Sequence, residues 1–486
     1  MFDRHINLSD FLHEEKNPLL FHTGFFLLVF SVFLIIYSFV INKPKIRSVL
    51  LISFGFYFYY KSSGVFLLLL LLTITFDYLF CILIEKQKNP NQRKFLFFAS
   101  ILFSLSFLLY FKYRNFFVSN YNEVSGHSFP VFDLIIPVGI SFYTFQSISF
   151  LTDIYLNKIP RPKFSDYLLY MTFFPHLVAG PIVRAKDFIP QLKENIRVSA
   201  ENLNEAFYLI TKGFLKKAII ADYVAQYSDI VFSSPQGFSG TEQGLAAICY
   251  TLQIFCDFSG YTDMAIGIAL LLGYKLCLNF DSPYKSVNIT DFWRRWHISL
   301  SSWLRDYVYI PLGGNKKGFL LKLLFLLLTM LIGGFWHGAD WKFIFWGGAH
   351  GVLLISHNLF IRFTKKISFP KWTNLFFWLL TFISVTLLWI PFRAQSFNDA
   401  MIFYSGIFSS HKLQILSAIM QINPLLIVLL VFGFGFAILN HKWKNTIKEW
   451  YWRSAFAIKF LTLTAMILVM LMLNHTEVQP FIYFQF

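Results

Sequence analysis

The side chains with the greatest chemical potential form a polar block that interrupts apolar sequence between positions 288 and 306. Its histidine, His297, is of the type that most often moves protons in enzymes, and its guanidinium groups suit carboxylates or phosphates. At helical spacing Arg294, His297 and Ser301 share one face. Two hypotheses stay open: an amphipathic helix in a membrane interface, with snorkelling arginines, or a half-buried helix that walls a reaction chamber. The candidate chamber residues are Asn288, Arg294, Arg295, Trp296, Arg305 and Asp306.

A second candidate is His337, which ends an apolar run within the string GGFWHGAD. Glycines on both sides allow the chain to turn or to approach another backbone closely. A lone histidine in such a position is more often a satisfied core residue than a catalyst. Ionisable groups inside a membrane are costly, however, and mark functional sites. We therefore predict that His337 is catalytic and that Trp336 belongs to its site.

Other polar residues within apolar sequence are assigned mainly to structure. His350 and His357 are seven residues apart and share a helix face with nearby glycines, which predicts tight helix packing with hydrogen bonds across helices. His176, beside two prolines, receives the same interpretation. Asp257 and Tyr261 lie in a further apolar stretch and, with His350, complete the candidates for the chamber wall.

Two histidines suffice for an acyl transfer without a covalent enzyme intermediate. One neutral imidazole can take the proton from a sugar hydroxyl as that hydroxyl attacks a thioester, and a dry pocket strengthens each nearby hydrogen-bond donor. The other can orient the hydroxyl or stabilise the oxyanion. The sequence contains no GxSxG elbow, P-loop or HExxH motif, so it gives no signal for those alternative chemistries.

The elements that position these residues require a bilayer. A chain of 486 residues that is 56% hydrophobic, 20% aromatic and 14% charged cannot hide its apolar side chains in one aqueous core. We expect an all-α integral membrane protein with about a dozen membrane helices, including re-entrant segments around a central funnel or tunnel. The clearest apolar runs, which lack the alternation of membrane strands, cover residues 19–41, 64–84, 95–111, 343–361 and 458–474.

Charge and cysteine patterns add topology. The net charge of +16 comes from basic residues in short loops, which indicates membrane orientation rather than nucleic-acid binding. Basic loops at 43–47, 86–94 and 442–453 are expected on the cytoplasmic side, which places the turn at 61–63 and both termini outside. Acidic residues before the first run argue against a cleavable signal. Cys81, Cys249, Cys256 and Cys277 lack CxxC spacing and predict neither a zinc site nor a disulfide framework.

We expect one multi-pass domain with three parts: peripheral N-terminal spans at 1–130, a core at 131–394 that holds the candidate residues, and C-terminal spans at 395–486. The core is interrupted by proline, glycine and charged residues. Such backbone is tolerated at membrane depth where protein covers it or a wet cavity receives it.

Four strings resemble the membrane-bound O-acyltransferase (MBOAT) family, specifically its bacterial alginate O-acetylation and D-alanyl transfer branch. They are FFPHLVAGPIVR, YTLQIFCDFSGYTDMAIG, FWRRWHISLSSWLRDYVYIPLGGN and FWHGADWKFIFWGGAHG. Smaller matches at 391–394 and 480–486 extend the resemblance over most of the chain from Leu134 onward. The residues before Leu134 match mainly in hydropathy.

The resemblance implies a curved multi-helix protein whose two funnels meet at a histidine in the membrane. The family's invariant histidine falls on His337 and its second important histidine on His297, 40 residues earlier. His176 departs from the glutamine expected in this branch. No bound cofactor is implied, because the acyl donor, acetyl-CoA or an acyl carrier protein thioester, is a substrate that enters from the cytoplasm.

The implied function is transfer of an acyl group, expected to be acetyl, to a hydroxyl of an exported polysaccharide or of a periplasmic acetyl-relay partner. The implied location is the bacterial inner membrane, with the donor or its carrier protein docking on basic cytoplasmic loops and with no nucleic acid partner. An alternative is a transporter or flippase for a lipid-linked glycan, whose path the charged residues would line. A structural subunit that only anchors a partner enzyme would not need them.

Overall fold

The structure is a computed structural model that describes residues 8–14, 18–409 and 412–473, and these ranges contain helices and no strand. The expectation of an all-α protein is therefore confirmed. The chain divides into two compact units.

The first unit contains the described chain up to Phe207, the segment Ala265–Cys277 and residues 465–473. Its first helices are long and apolar, and Pro44 and Pro90 stand in the first turns of two of them, where a missing N–H has no helical partner to lose. Short helices follow where proline and glycine interrupt the sequence. The helices are α1 (Gly24–Val40), α2 (Pro44–Ser63), α3 (Leu67–Lys86), α4 (Pro90–Leu108), α5 (Arg114–Ser125), α6 (Ile140–Tyr155), α7 (Phe164–Thr172), α8 (Phe174–Leu177), α9 (Ala185–Phe188) and α10 (Ala200–Phe214), the end of which belongs to the second unit.

Phenylalanine side chains pack α1, α2 and α8 together in the first unit. The rings of Phe33 and Phe54 are 4.1 Å apart, and Phe174 lies 4.8 Å from Phe54. A Cβ added at Gly55 of α2 would lie 2.0 Å from the Thr172 carbonyl oxygen. This close approach fixes α2 against the end of α7, because packing contacts dominate helix association in membranes.

Asp77 joins four helices of the first unit through hydroxyl groups. Its carboxylate on α3 accepts hydrogen bonds from Ser104 on α4 at 3.2 Å, Ser147 on α6 at 2.5 Å and Tyr167 on α7 at 2.8 Å. The Asp77 side chain is fully buried, so these donors replace the water that a carboxylate otherwise requires. Asp77 is thus a structural residue.

The FFPHLVAGPIVR segment is irregular, as expected. Helix α8 has four residues, and residues 178–184 are non-helical before α9 begins. His176 on α8 is fully buried, and its Nε2 lies 2.9 Å from the Tyr170 carbonyl oxygen. Protein covers this backbone, which is the condition under which irregular structure is tolerated at membrane depth.

The second unit contains Tyr208–Met264 and Leu278–Thr464. Its central element is a helix of 32 residues, and 89% of the most apolar part of this helix is buried. The second unit also contains both segments in which the candidate histidines occur. The helices are α11 (Asp222–Ser233), α12 (Gly240–Leu271, whose end belongs to the first unit), α13 (Ile289–Arg295), α14 (Ile298–Leu304), α15 (Ile310–Leu312), α16 (Phe319–His337), α17 (Trp341–Phe363), α18 (Thr373–Arg393), α19 (Phe397–Ser409), α20 (Leu413–Ile422), α21 (Pro424–Ile438), α22 (His441–Arg453) and α23 (Phe456–Leu473).

Charged residues buried in the second unit form ion pairs that join the π-helical segment Leu215–Ala221 to α12 and to the start of α11. Lys217 Nζ lies 2.5 Å from Asp257 and 2.7 Å from Asp222. Lys216 Nζ lies 2.7 Å from Asp263. Burial of a charge is tolerated when it is paired, so these lysines and carboxylates hold helices together.

Six helical stretches of the described chain are long and apolar enough to cross a membrane. A seventh is formed if α21 and Lys442–Arg453, which meet at 103°, are taken as one bent span. The chain is therefore a multi-pass membrane protein, while the dozen helices and the funnel stay predictions. The six stretches are Pro44–Lys86, Pro90–Ser125, Gly240–Leu271, Phe319–His337, Trp341–Phe363 and Thr373–Arg393.

Candidate active site

His297 lies at a break between two helices, so the single helix expected across the polar block is wrong. Helix α13 ends before Trp296 and α14 begins at Ile298. Between them His297 has a φ of +43°, in the left-handed region that few non-glycine residues adopt and that costs about 1–2 kcal/mol. Because Arg294 and Ser301 lie on different helices, the face that helical spacing predicted for them with His297 is not formed.

Asn279, which the sequence pattern does not single out as a site residue, holds the ring of His297. The Asn279 Oδ1 atom lies 3.0 Å from His297 Nδ1, and it also accepts hydrogen bonds from Ser299 N at 3.1 Å and Ser299 Oγ at 2.9 Å. The Asn279 carbonyl oxygen accepts a further bond from Ile298 N at 2.9 Å. The three polar side chains are buried. The segment before α13 is thus fastened to the break between α13 and α14.

His337 is the last residue of α16, in a helical hairpin with α17 that glycines hold tightly packed. A Cβ added at Gly334 would lie 2.3 Å from the Phe343 carbonyl oxygen, and one at Gly347 would lie 2.3 Å from the Met330 carbonyl oxygen. Small residues that let backbones approach are a common interaction between membrane helices. They fix the end of α16, and with it His337, against the start of α17.

Trp336 brings the two candidate histidines to one place in the second unit. The centre of its indole is 6.3 Å from the His297 ring and 4.9 Å from the His337 ring. His297 is 0% exposed and His337 is 4% exposed. Sequence spacing alone cannot bring these residues together, but in the structure both imidazoles lie against the same indole.

Further aromatic rings surround both histidines. Trp346 and Phe392 each lie 5.1 Å from the His337 ring, and Phe258 lies 4.7 Å from the His297 ring. Such rings keep water away and so strengthen hydrogen bonds formed inside the site. We define the aromatic enclosure as Trp293, Trp296, Trp336, Trp346, Trp389 and Phe392, which are linked by ring contacts of 4.9 to 5.8 Å among themselves or with the histidines.

His350 lies in the same enclosure but in a different chemical setting. Its ring is 4.7 Å from Trp346 and 5.1 Å from Trp293. Within the described residues neither ring nitrogen has a hydrogen-bond partner. On the same helix, His357 Nδ1 lies 2.8 Å from Thr290 Oγ1 and so joins α17 to α13. The structure thus shows a cross-helix hydrogen bond at His357 and ring packing at His350.

The two adjacent arginines of the polar block differ in environment. Arg295 Nε lies 3.0 Å from both carboxylate oxygens of Asp291, and its Nη1 lies 3.3 Å from Asp281. Its planar guanidinium therefore joins α13 to the segment before it, which suits the fork geometry of arginine. Arg294 is exposed. Arg295 thus has the packed position that the chamber hypothesis predicts, and Arg294 has the exposed position that the interface hypothesis predicts.

Most of the other predicted chamber residues have structural partners. Asn288 caps α13, because its Oδ1 accepts the N–H of the third helical residue at 2.8 Å. Asp257 pairs with buried Lys217. Asp306 binds Arg305, whose side chain is 62% exposed, at 2.7 Å. These contacts stabilise the elements that hold the histidines.

Tyr261 and Trp296 belong to the packed interior of the second unit. Tyr261 is fully buried on α12, one turn after Asp257, and the Trp296 ring is 4.9 Å from that of Trp389. All four cysteines are free thiols. Within the part of the chain that the structure describes, no group of three or more His, Cys, Asp or Glu side chains is arranged to hold a metal ion.

The structure adds Asn279, Trp293, Trp346, Trp389 and Phe392 to the site. Asn279 is a single amide in the apolar string LCLNF at the start of the block that carries the resemblance, so its isolation and position are the signals that could have selected it. The four aromatic residues carry no such signal, because an aromatic residue in an apolar run is usually core.

Comparisons with known proteins show which family the chain resembles. The model of the membrane-bound O-acyltransferase family matches residues 52–393. The chain is 39% identical over 350 residues to a peptidoglycan O-acetyltransferase of Helicobacter pylori, covering 66% of each protein. It is 41% identical over 315 residues to the probable alginate O-acetylase AlgI of Pseudomonas aeruginosa, covering 64% of this chain and 59% of that protein.

A more distant relative is a teichoic acid D-alanyltransferase of Bacillus subtilis, which is 31% identical over 285 residues, or 55% of this chain and 71% of that protein. The chain spans less than two thirds of the length of the first two relatives. The family model, in contrast, covers well over half of this chain and includes both candidate histidines. The chain therefore belongs to the membrane-bound O-acyltransferase family.

Proposed function

We propose that this protein is an O-acyltransferase that moves an acyl group, and specifically acetyl, from a thioester donor on the cytoplasmic side to a hydroxyl of an exported polysaccharide or of a periplasmic relay partner. One observation carries the proposal: His297 and His337 are both buried against the indole of Trp336. The names of the first two relatives, which include acetyl transfer to peptidoglycan and alginate, support acetyl as the acyl group.

The reaction needs one proton transfer and one acyl exchange. The hydroxyl oxygen attacks the thioester carbonyl carbon while a histidine accepts the hydroxyl proton. When the oxyanion collapses, the new C–O bond is retained, the C–S bond breaks, and the thiolate leaves with the proton that the histidine returns. One of His297 and His337 performs this proton transfer, and the other donates a hydrogen bond to the oxyanion.

The aromatic enclosure suits this chemistry because a thioester in a wet site is lost to hydrolysis. Rings of the enclosure flank His337 and His297 and leave little room for bulk water beside either imidazole. Exclusion of water protects the activated acyl group and makes each fixed donor more effective.

We propose acetyl-CoA or an acyl carrier protein thioester as the donor. A carrier protein would dock on the basic cytoplasmic loops, since acidic partners are steered by basic surfaces. The proposed location is the bacterial inner membrane, with both termini outside. On the outer side we propose a polysaccharide or a periplasmic acetyltransferase as the acceptor.

A glycan measurement separates this proposal from transport of a lipid-linked glycan. Surface polysaccharide is purified from cells with and without the protein, and ester-linked acetate per sugar and total exported polymer are measured. We expect acetate to be lost while polymer export continues. Loss of export with unchanged acetate per sugar would favour the transporter. The buried lysines already have a packing role in the ion pairs with Asp257 and Asp263, which weakens the need for a transport path.

A further inference from the structure

The hydrogen bonds around Asn279 determine which atom of its side-chain amide faces His297. The Ser299 backbone N–H, which can only donate, points at this atom from 3.1 Å. An amide NH₂ in that position would face another donor, so the atom must be the oxygen. The Ser299 Oγ atom lies 2.9 Å from the same oxygen and 3.5 Å from His297 Nδ1, so the hydroxyl donates its hydrogen to Asn279 through the shorter contact.

The oxygen in turn determines the proton on His297. A carboxamide oxygen only accepts, so the His297 Nδ1 atom, at 3.0 Å, must carry a hydrogen. In the neutral imidazole the lone pair is then on Nε2, and only Nε2 can accept a proton from a substrate. The tautomer of His297 is thus set by a backbone N–H through one amide oxygen.

The backbone keeps this contact in place. Ile298 N donates to the Asn279 carbonyl at 2.9 Å, and Asp281 N donates to the Arg295 carbonyl at 2.9 Å. These two bonds pair the segment at 279–281 with the break where His297 has its left-handed φ of +43°. A strained residue held by surrounding structure in this way is a feature of functional sites.

We infer that Asn279 is a positioning residue for the transfer reaction: it holds the proton of His297 on Nδ1, so that His297 Nε2 receives the proton of the attacking hydroxyl. The inference rests on the proposed function and assigns the base within it, which leaves the oxyanion to His337. Phe258 and Trp336, whose rings contact the imidazole, do not titrate. They therefore do not determine which nitrogen of His297 carries the proton.

Two substitutions at Asn279 test the inference through different readouts. Asn279→Ala removes the acceptor, so the tautomer is no longer fixed, and we expect kcat to fall between about 10-fold and 10⁴-fold with little change in the KM of the donor. Asn279→Asp keeps the acceptor but adds a negative charge, which favours the protonated imidazole. The acid limb of the pH–rate profile should then move to higher pH by about one to three units.

Asn358 offers a matched control, because its Oδ1 accepts a hydrogen bond from Lys322 Nζ at 2.6 Å in the α16–α17 hairpin. Asn358→Asp introduces the same change, and its acid limb should coincide with that of the unchanged protein. Thermal melting in detergent reports folding for every variant. If Asn279→Ala does not fold, the pH profile of Asn279→Asp decides.

A kcat within two-fold of the unchanged protein for Asn279→Ala, or an unmoved acid limb for Asn279→Asp, would overturn the inference. Both results require measurable ester formation by the unchanged protein. Absence of any transfer by the folded, unchanged protein with both donor types would instead refute the proposed function. The two failures are therefore distinguishable in one set of assays.

Discussion

The histidines of the aromatic enclosure have two different kinds of surroundings. His297 has a polar contact that fixes one ring nitrogen, whereas His350 is held by the rings of Trp346 and Trp293. A histidine that is held by flat rings alone serves packing, since a ring of similar size can replace it. The surroundings therefore predict opposite results for conservative substitutions at the two positions.

We predict that His350→Phe keeps the fold and most of the transfer activity, because phenylalanine retains the ring contacts and removes two buried polar atoms. His350→Ala leaves a cavity and should lower the free energy of unfolding by about 2–5 kcal/mol while turnover per folded molecule changes little. Melting temperature and turnover are measured on the same preparations. A folded but inactive His350→Phe would show that this histidine takes part in chemistry.

Residue chemistry in the sequence selected His297 and His337, because ionisable groups inside apolar runs are rare. Their common contact with Trp336 is visible only in the structure. Residue chemistry did not select Asn279. The amide lies 18 residues before His297, and only the return of the chain from α13 to the segment before it brings them together. Contacts of that kind depend on the fold and carry no local pattern.

At the scale of elements, the arginines of the polar block have different tasks. Arg295 binds two carboxylates with different nitrogens, whereas Arg305 is 62% exposed. Arg295→Lys should lower the melting temperature and turnover, since one ammonium cannot reproduce the fork. Arg305→Lys should be nearly silent, since either cation reaches the headgroups. A large loss of turnover in a normally folded Arg305→Lys would instead indicate a ligand contact.

The α16–α17 hairpin makes a second prediction at this scale. An alanine methyl at Gly334 would lie 2.3 Å from the Phe343 carbonyl oxygen, so Gly334→Ala must push the helices apart and should cost about 1–3 kcal/mol. Gly348→Ala is the control, because its nearest neighbour is the end of the Leu331 side chain at 3.3 Å. Equal melting temperatures for the two variants would contradict the close packing described above.

Glycine spacing in the sequence predicted the packing of this hairpin, and hydropathy predicted the long helices. The break at His297 was not predicted, because Arg294 to Asp306 contains no glycine or proline and reads as one helix. The left-handed backbone conformation of His297 is unfavourable for a residue with a side chain. Tertiary contacts with Asn279 offset this cost. A local sequence pattern does not predict this break, because the contacts that stabilise it come from Asn279, which lies outside the polar block.

For the whole molecule, two charges used to predict orientation are not free loop cations. Arg47 is 2% exposed, and its Nη1 donates to the Ile41 carbonyl at 3.0 Å. Lys61 and Ser62 are buried as well. The predicted orientation therefore depends on the remaining basic residues, chiefly those around Lys88. A labelling test of this orientation requires cysteines at exposed positions.

We predict that a cysteine at Lys88 is shielded from an impermeant thiol reagent in intact cells and that one at Val65, which is 72% exposed between α2 and α3, is labelled. The native cysteines are first replaced, because Cys277 is exposed. Both cysteines should react after the cells are permeabilised. The reverse labelling in intact cells would exchange the donor and acceptor sides.

If His337 and His297 carry out acyl transfer together, turnover by purified protein in lipid vesicles depends on both imidazoles. Labelled acetyl is supplied as a thioester, and ester formed on extracted surface glycan is counted for the unchanged protein, His337→Ala, His297→Asn and the double variant. Asparagine is chosen at 297 because it tolerates the left-handed φ of that position.

Each single variant should lose about 10²–10⁴-fold in rate while melting like the unchanged protein. The double variant should be little worse than the poorer single, because both residues act on one step. Near-native turnover by folded His337→Ala would contradict the account and move the search for the catalytic group to His350.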